Sequence, residues 1–434
     1  CERVQPMSDH EFGFKTRTLH AGGQPDSATG ARAVPIYQST SFVFEDTADA
    51  ADLFALQKFG TIYSRISNPT TAAFEERMAS LEGAIGAVAT ASGQAAAFLA
   101  MSTLAGAGDH IVAASGVYGG TYTLFDTTMR RFGVDTTFVS NTDADAFAAA
   151  IRPETKAVYT EIIGNPGGAV ADLEALADVA HSHGLPLMVD STFATPWLCR
   201  PMEWGADVVV HSATKFIGGH GTSIGGVITE AGTFDWSSGR FPRMTEPVPT
   251  YNGLQWHGNF GEYAYCMALR SEQLRDVGAS LSPFNAFMLL QGLETLPLRM
   301  DEHVRNAQAV ARWLDADPRV SWVAHADLDD SPYRSLAAKY LPRGAGAIFT
   351  FGVKGGREAG QSFIEKLELI SHLANVGDAR TLVIHPASTT HQQLTEEQLE
   401  AAGVGGDMIR LSVGLEDLDD ILWISIRPWV SSPP

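Results

Sequence analysis

The stretch HSATKFIGGHGTSIGG, residues 211–226, places Lys215 among small side chains and glycines. A lysine in a dry, cramped pocket has a lowered pKa and serves as a nucleophile and base. The alternative is a surface lysine whose stem lies along apolar side chains, but such a residue needs no clearance on both sides. The spacing therefore indicates a reactive lysine.

A phosphate site is indicated by residues at two other points of the chain. Ser92, Gly93 and Gln94 stand between an apolar strand and a helix, where the free N–H groups of a helix start bind anions and a glycine permits close approach. Ser212 and Thr214 follow the apolar run VVV and add hydroxyl donors. Taken alone, the first motif is more typical of an ordinary turn between a strand and a helix.

An acidic residue, Asp190, ends the apolar stretch LPLMV. A buried carboxylate is costly unless a cation faces it, and a protonated pyridine nitrogen is such a cation. The N-cap of the next turn is the plainer interpretation of Asp190 by itself. A phosphate cradle, an acid for a ring nitrogen and a nucleophilic lysine are together the groups that hold pyridoxal phosphate.

The surrounding elements must bring these residues together. From about residue 80, apolar strands such as HIVAAS, KAVYTEII and ADVVVHS alternate with helical segments. This alternation predicts an α/β fold with a mostly parallel central sheet and helices on both faces. Ligands bind at the carboxyl ends of the strands in such sheets, and there the lysine, the acid and the cradle would meet.

Three parts of the chain are predicted. Residues 1–70 show little periodicity and are interpreted as an N-terminal arm. Residues 71–285 form the predicted α/β domain that binds the cofactor, and residues 286–434 form a smaller C-terminal α+β domain.

Composition excludes several classes of function. The 434 residues are 45% hydrophobic and 18% charged, with a formal net charge of −20 and no Lys/Arg run typical of a nucleic-acid binder. No apolar run is long enough to span a bilayer. Three cysteines and scattered histidines match neither a disulfide framework nor a metal site. We therefore expect a cytoplasmic enzyme without metal, nucleic-acid or membrane partners.

The stretch SATKFIGGHG resembles the cofactor-lysine signature of the Cys/Met-metabolism, or transsulfuration, pyridoxal phosphate enzymes. The resemblance extends from about Thr18 to Leu422 and includes YSRISNPT, VYGGTY, VDSTFATP, NVGDARTLVIHPASTTH and RLSVGLEDLDDI. It implies a fold-type I transferase with pyridoxal 5'-phosphate as cofactor. It also implies a homotetramer of catalytic dimers, in which the N-terminal arm reaches the neighbouring subunit's active site.

The resemblance further implies roles for individual residues. Lys215 matches the lysine that binds the cofactor covalently, Asp190 the partner of the ring nitrogen, and Tyr118 the tyrosine that stacks on the ring and moves protons. Three sets complete the implied site: Ser92, Gly93, Gln94, Ser212 and Thr214 at the phosphate, Tyr63 and Arg65 at the phosphate of the other subunit, and Asn165, Asn375 and Arg410 at the substrate. Outside this context Tyr118 fits a core position equally well, and Arg410 fits a structural ion pair better.

Two features discriminate among the reactions of the family. Methionine γ-lyases carry a reactive cysteine two residues after the stacking tyrosine, where this chain has Gly120. Residues 251–300, with SPFNAF and LQGLETL, are long for a lyase and resemble the segment of O-acetylhomoserine sulfhydrylases. We therefore expect γ-replacement, in which O-acetyl-L-homoserine and sulfide give homocysteine and acetate. Methanethiol in place of sulfide would give methionine.

Several alternatives stay open. Within the family they are cystathionine γ-synthase, with cysteine as nucleophile, and a γ-lyase, and the activating group could be acetyl, succinyl or phosphoryl. Outside the family, GGHGTSIGG suggests a non-catalytic nucleotide-binding protein, but GxxxxGK[ST] is absent and GxGxxG does not follow the first strand.

The end of the chain, ISIRPWVSSPP, departs from the family pattern. We interpret it as the frameshifted end of a helix that the family normally continues in polar residues. We expect it to be poorly packed or differently routed.

Overall fold

The computed structural model describes residues 11–140, 142–166, 168–389 and 404–430, with side chains in the last range described as far as Ser425. Two sheets organise this part of the chain, one of seven strands and one of five.

The larger sheet has the strand order β1-β7-β6-β5-β4-β2-β3. Its strands are β1 (Gly86–Thr90), β2 (His110–Ala114), β3 (Asp135–Val139), β4 (Thr155–Glu161), β5 (Leu187–Asp190), β6 (Val208–Ser212) and β7 (Gly226–Glu230). The neighbours from β6 to β3 pair in parallel, whereas β7 runs antiparallel to both β1 and β6. Every residue of β2 and β7 is buried, as expected of strands covered on both faces. The predicted mostly parallel sheet is confirmed.

The smaller sheet has the order β10-β11-β12-β9-β8 and lies late in the chain. Its strands are β8 (Val320–Ala324), β9 (Ile348–Val353), β10 (Ser371–His372), β11 (Leu382–Ile384) and β12 (Met408–Ser412). All pairs are antiparallel except β10 with β11. The predicted second, smaller sheet region is likewise confirmed.

Helices cover both sheets. The α-helices are α1 (Phe14–His20), α2 (Thr47–Phe54), α3 (Pro69–Glu82), α4 (Gly93–Ser102), α5 (Gly119–Thr123), α6 (Ala144–Ala150), α7 (Leu173–Ser182), α8 (Thr195–Leu198), α9 (Pro242–Thr245), α10 (Trp256–Phe260), α11 (Ala264–Ala268), α12 (Arg275–Val277), α13 (Pro283–Glu294), α14 (Leu296–Asp315), α15 (Arg334–Tyr340), α16 (Gly356–Glu365) and α17 (Leu418–Val430). Two π-helical segments, Leu124–Met129 and Leu269–Leu274, continue α5 and α11. Short 3₁₀ turns lie at Pro201–Trp204, Pro249–Tyr251, Gly261–Tyr263 and Pro386–Ser388.

Helix ends follow local sequence signals. The Asn68 side chain accepts the N–H of Thr70, Pro69 occupies the first position of α3, and the helix ends at Gly83 with φ 76°, a conformation that glycine adopts without a steric penalty. The Ser92 side chain caps α4 by accepting the N–H of Ala95. This cap fixes where α4 begins, directly at the end of β1.

The first residues of the described chain contain two short helices. Helix α1 packs on α3 and α13 of the same chain. The predicted boundary between the second and third parts, at 285/286, falls inside α13. The three-part division of the chain stays a prediction.

For the tail of residues 424–434, the expected different routing is contradicted as far as Val430, and the expected poor packing is contradicted at Ile424 and Ser425, the two tail residues whose side chains the structure describes. Helix α17 runs to Val430, and Ile424 and Ser425 are 4% and 3% exposed. The reason is spacing, since Ile421 and Ile424 lie one turn apart and turn the same face inward, toward α14 and α16. Residues 431–434 lie outside the described ranges.

Two features are absent from the described residues. None of their helices has the length and apolar content needed to cross a membrane. None of their His, Cys, Asp and Glu side chains cluster in threes as a metal site requires.

Candidate active site

Eleven of the thirteen predicted site residues line one cavity of about 260 Å³. They are Ser92, Gly93, Gln94, Tyr118, Asn165, Asp190, Ser212, Thr214, Lys215, Asn375 and Arg410. The cavity lies at the carboxyl ends of β1, β4, β5 and β6, the edge that the sequence predicts. The fold therefore brings together residues separated by more than three hundred positions.

Lys215 projects into the cavity from the turn after β6. Its Nζ atom donates to Oδ1 of Asn375 over 2.6 Å. Burial, and to a smaller extent the charge of Arg410, lowers the pKa of Lys215 from 10.5 to about 8. A sizeable fraction of this amine is neutral near physiological pH, as a nucleophile or general base requires.

Asp190 is the last residue of β5 and lines the cavity. Its Oδ1 atom accepts the N–H of Thr192 over 2.9 Å, and the Tyr159 hydroxyl approaches Oδ2 at 3.5 Å. Burial raises the pKa of Asp190, and the Thr192 hydrogen bonds oppose the shift. A cation in the cavity would offset the burial of this carboxylate.

The start of α4 and the end of β6 meet at Gly93. A Cβ atom there would lie 2.5 Å from Cβ and 2.8 Å from Cα of Ser212, so only glycine fits. The first N–H groups of α4 have no partners within the helix, and they stand beside the Ser212 hydroxyl. The Thr214 hydroxyl donates to the backbone oxygen of Gly225 over 3.2 Å. The arrangement suits an anion held by the backbone N–H groups and the Ser212 hydroxyl, whereas the Thr214 hydroxyl is bonded to the Gly225 backbone as both donor and acceptor.

Arg410 reaches the same cavity from β12 of the smaller sheet. Its guanidinium donates to Oδ1 of Asn165 over 3.3 Å, and burial lowers the pKa of Arg410. Among the ion pairs of the described ranges none involves Arg410, so a structural ion pair does not explain it there. Its planar set of donors is suited to a ligand carboxylate.

These groups fit pyridoxal phosphate. The cradle suits a phosphate, Asp190 suits a protonated ring nitrogen, and the Lys215 amine suits an aldehyde. Residues 15–423 match the family of Cys/Met metabolism PLP-dependent enzymes. The chain belongs to this family.

Relatives and solved structures agree with that membership of the Cys/Met metabolism family. A homocysteine synthase from Schizosaccharomyces pombe is 53% identical over 412 residues, which cover 94% of this chain and 96% of the relative. An O-acetyl-L-homoserine sulfhydrylase from Thermus thermophilus is 50% identical over 410 residues, which cover 94% and 97%. A solved structure from Campylobacter jejuni, described as an O-acetylhomoserine (thiol)-lyase with N'-pyridoxyl-lysine-5'-monophosphate, matches with a TM-score of 0.94 at 38% identity, covering 97% of this chain and 100% of that one. The chain is thus a PLP-dependent enzyme with the fold of this family.

Tyr118 lies at the rim of the cavity, immediately before α5. Its side chain is 49% exposed, so it does not occupy a core position. Its backbone N–H donates to Oε1 of Glu161 over 2.6 Å.

Tyr63 and Arg65 do not line the cavity of their own chain. Tyr63 is 41% exposed, and the Arg65 guanidinium lies 5.5 Å from the centre of the Tyr63 ring while donating to the backbone oxygen of Arg275. The two side chains form a preformed pair on the surface of the chain.

Sequence reasoning missed several residues of the cavity. Glu161 ends β4, as Asp190 ends β5, and this position at a strand end was the available signal. Thr121 and Thr192 stand next to predicted residues in VYGGTY and VDST. The apolar residues of the lining carry no chemical signal in the sequence: Ile163, Phe193, Ile224, Ala374 and Val376.

Proposed function

We propose that this chain is an O-acetyl-L-homoserine sulfhydrylase, which replaces acetate by sulfide at Cγ to form L-homocysteine. Methanethiol in place of sulfide would give L-methionine. Supporting the proposal, relatives about half identical over nearly their full length carry the names homocysteine synthase and O-acetyl-L-homoserine sulfhydrylase. This places the enzyme in methionine biosynthesis.

The observation that carries the choice of nucleophile is the small number of cations in the cavity. Among the described residues that line it, Lys215 and Arg410 are the cationic side chains of this chain, and the Arg65 side chain that the neighbouring subunit would add is assigned to the cofactor phosphate. Arg410 is taken by the carboxylate of the first substrate, and Lys215 is needed as a neutral amine. A second amino acid would bring a carboxylate without a partner, which costs free energy where the cavity shields it from water. Sulfide is small and brings no carboxylate, so it is favoured over cysteine.

Each polar residue of the cavity has its own role in the proposed reaction. Arg410, Asn375 and Asn165 bind the substrate, and in the free chain the Asn375 amide oxygen also accepts a hydrogen bond from the Lys215 amine. Lys215 would hold the cofactor covalently, and as a free amine it would take protons from Cα and Cβ of the substrate and return them after the sulfur has added.

Tyr118 would lie against the cofactor ring and move a proton near the leaving group. Pyridoxal phosphate supplies, when bound, the electron-withdrawing ring that makes those protons acidic. The Cγ–O bond breaks with its electron pair on acetate, and HS⁻ forms the new Cγ–S bond.

The working form is proposed to be a cytoplasmic homotetramer built from catalytic dimers. The surface pair Tyr63 and Arg65 supports a shared site, because it has no place in the cavity of its own chain. Cys199 and Cys266, both buried and free, suit a reducing compartment. In this arrangement the arm of one subunit would complete the phosphate site of the next.

The test is a comparison of specificity constants on one preparation of the holoenzyme. O-acetylhomoserine is offered with sulfide, with methanethiol and with cysteine, and O-succinylhomoserine with sulfide. We expect the largest kcat/KM for O-acetylhomoserine with sulfide. A larger constant with cysteine would identify a cystathionine γ-synthase instead, and release of a keto acid without any added thiol would identify a γ-lyase.

A further inference from the structure

The Tyr118 ring is half exposed at the rim of the cavity, yet its position matters for the proposed chemistry. Among the hydrogen bonds of the described residues none involves its hydroxyl group. Two neighbours contact this residue, Glu161 at the backbone N–H and Gly120 beside the ring.

The backbone contact is with Glu161. Oε1 of this carboxyl group accepts the Tyr118 N–H over 2.6 Å, and the side chain is 6% exposed. Burying a carboxyl group is costly and calls for an explanation. In the sheet, Glu161 pairs with Asp190 of β5, so the anchor of Tyr118 and the proposed partner of the ring nitrogen stand side by side. Burial and the charge of Asp190 raise the pKa of Glu161, and in the neutral form its carbonyl oxygen still accepts the N–H group.

The ring contact is with Gly120. A Cβ atom at this position would lie 2.5 Å from Cε1 of the Tyr118 ring and 3.1 Å from Cδ1 and Cζ. The ring therefore lies in the space that a side chain at residue 120 would take. An added Cβ would therefore push the ring from the position that it takes in this chain, because carbon atoms in contact stay about 3.5 to 4.0 Å apart.

We propose that Glu161 and Gly120 position the Tyr118 ring over the cavity, the carboxyl group by accepting the Tyr118 N–H and the glycine by leaving the space that the ring fills. Both are positioning residues that act through Tyr118. The inference rests on the proposed function only for its kinetic consequence, since the position of the ring can be measured without turnover.

The experiment uses the full chain with cofactor and the variants Gly120→Ala, Glu161→Leu and Glu161→Gln. Crystal structures report the ring position, and steady-state kinetics with O-acetylhomoserine and sulfide report kcat and KM. Gly106→Ala is the matched glycine control, because a Cβ there meets no atom within 4 Å. Glu230→Gln is the matched control for a buried carboxyl group that accepts a backbone N–H, from Cys266 over 2.8 Å, away from the cavity.

We expect Gly120→Ala to displace the ring by about 1 Å, the shift that restores an ordinary carbon contact. We expect kcat to fall about 10- to 100-fold, the cost of misplacing a catalytic group by such a distance. The KM for O-acetylhomoserine should change little, because Arg410 is untouched. Glu161→Leu should act in the same direction, and Glu161→Gln should recover most of the loss, since its amide oxygen accepts the same N–H. Gly106→Ala and Glu230→Gln should leave the ring in place.

An unmoved ring and an unchanged kcat in Gly120→Ala would overturn the proposal, and so would a Gln variant no better than Leu at residue 161. Should Glu161→Leu fail to fold, Gly120→Ala decides alone, because the nearest atoms that its Cβ meets all belong to the Tyr118 ring and none to the backbone. Failure of the wild type to convert O-acetylhomoserine would refute the proposed function, while the ring displacement would still test the positioning role.

Discussion

The Nζ atom of Lys215 donates a hydrogen bond to Oδ1 of Asn375 over 2.6 Å, across 160 positions of sequence. Lys215 follows β6 of the larger sheet, and Asn375 lies between β10 and β11 of the smaller one. A second contact reinforces the first, because the N–H of Ala379 donates to the backbone oxygen of Gly219 over 2.9 Å. The amide oxygen of Asn375 accepts from the amine without adding a negative charge, so it orients Lys215 and leaves burial to lower its pKa.

The lowered pKa of Lys215 predicts a pH dependence of stability in the cofactor-free protein. The folded pKa of about 8 lies below the ordinary 10.5, so the unfolded chain takes up this proton first as the pH falls. As the pH falls from about 10.5 to about 8, the free energy of unfolding therefore decreases by about 3 kcal/mol, and this full decrease persists below pH 8. Lys215→Met has no such decrease. Urea unfolding at several pH values should show that the free energy of unfolding of the wild type rises relative to that of Lys215→Met as the pH rises. A difference that stays constant with pH would contradict the lowered pKa of Lys215.

Arg410 should control the affinity for the amino-acid substrate. A hydrogen bond to a charged group contributes about 1.5 to 3 kcal/mol, so Arg410→Gln should lower kcat/KM for O-acetylhomoserine about 10- to 100-fold. The KM for sulfide should be the same in Arg410→Gln as in the wild type. Arg130→Gln, which removes an exposed guanidinium paired with Asp126, is the control. An Arg410 variant with unchanged kinetics for O-acetylhomoserine would remove this residue from the substrate site.

Gly93 should be intolerant of even one methyl group. The Cβ atom of Gly93→Ala would meet Cα and Cβ of Ser212 at 2.8 and 2.5 Å, and overpacking of this kind costs about 1 to 3 kcal/mol. The start of α4 must then move away from β6, which opens the cradle. We expect a lower free energy of unfolding and weaker binding of pyridoxal phosphate, measured by urea unfolding and by absorbance titration. Gly106→Ala is the control, and equal behaviour of the two variants would show that the close contact has no consequence.

The proposed shared site can be tested by subunit mixing. Arg65→Ala and Lys215→Ala should each be nearly inactive, because one lacks the phosphate ligand given to its neighbour and the other lacks the base and the covalent anchor. After exchange of subunits, a mixed dimer contains one site with both residues intact. Activity should therefore return on mixing. Demonstrated exchange without any recovered activity would argue that each site is built from a single chain.

The sequence by itself determined the order of elements and the residues at the ends of strands. Periodicity and caps are local properties, so AVAT before Ser92 and LPLMV before Asp190 predict where the polar residues of the sheet edge stand. The SATKFIGGHG stretch identified the lysine for the same reason, since its small neighbours are adjacent in sequence. Local spacing also explains the packing of α17 as far as Ser425, where Ile421 and Ile424 lie on one buried face and the expected poor packing is not found.

Only the tertiary structure decided which residues from distant segments face one another. The bond between Lys215 and Asn375 and the approach of Arg410 to Asn165 depend on how the smaller sheet packs beside the larger one. The positioning role proposed for Glu161 depends on its contact with the Tyr118 backbone, which only the structure shows. The physical reason is that packing between elements is set by the shapes of whole surfaces, while periodicity records only which face of each element is turned inward.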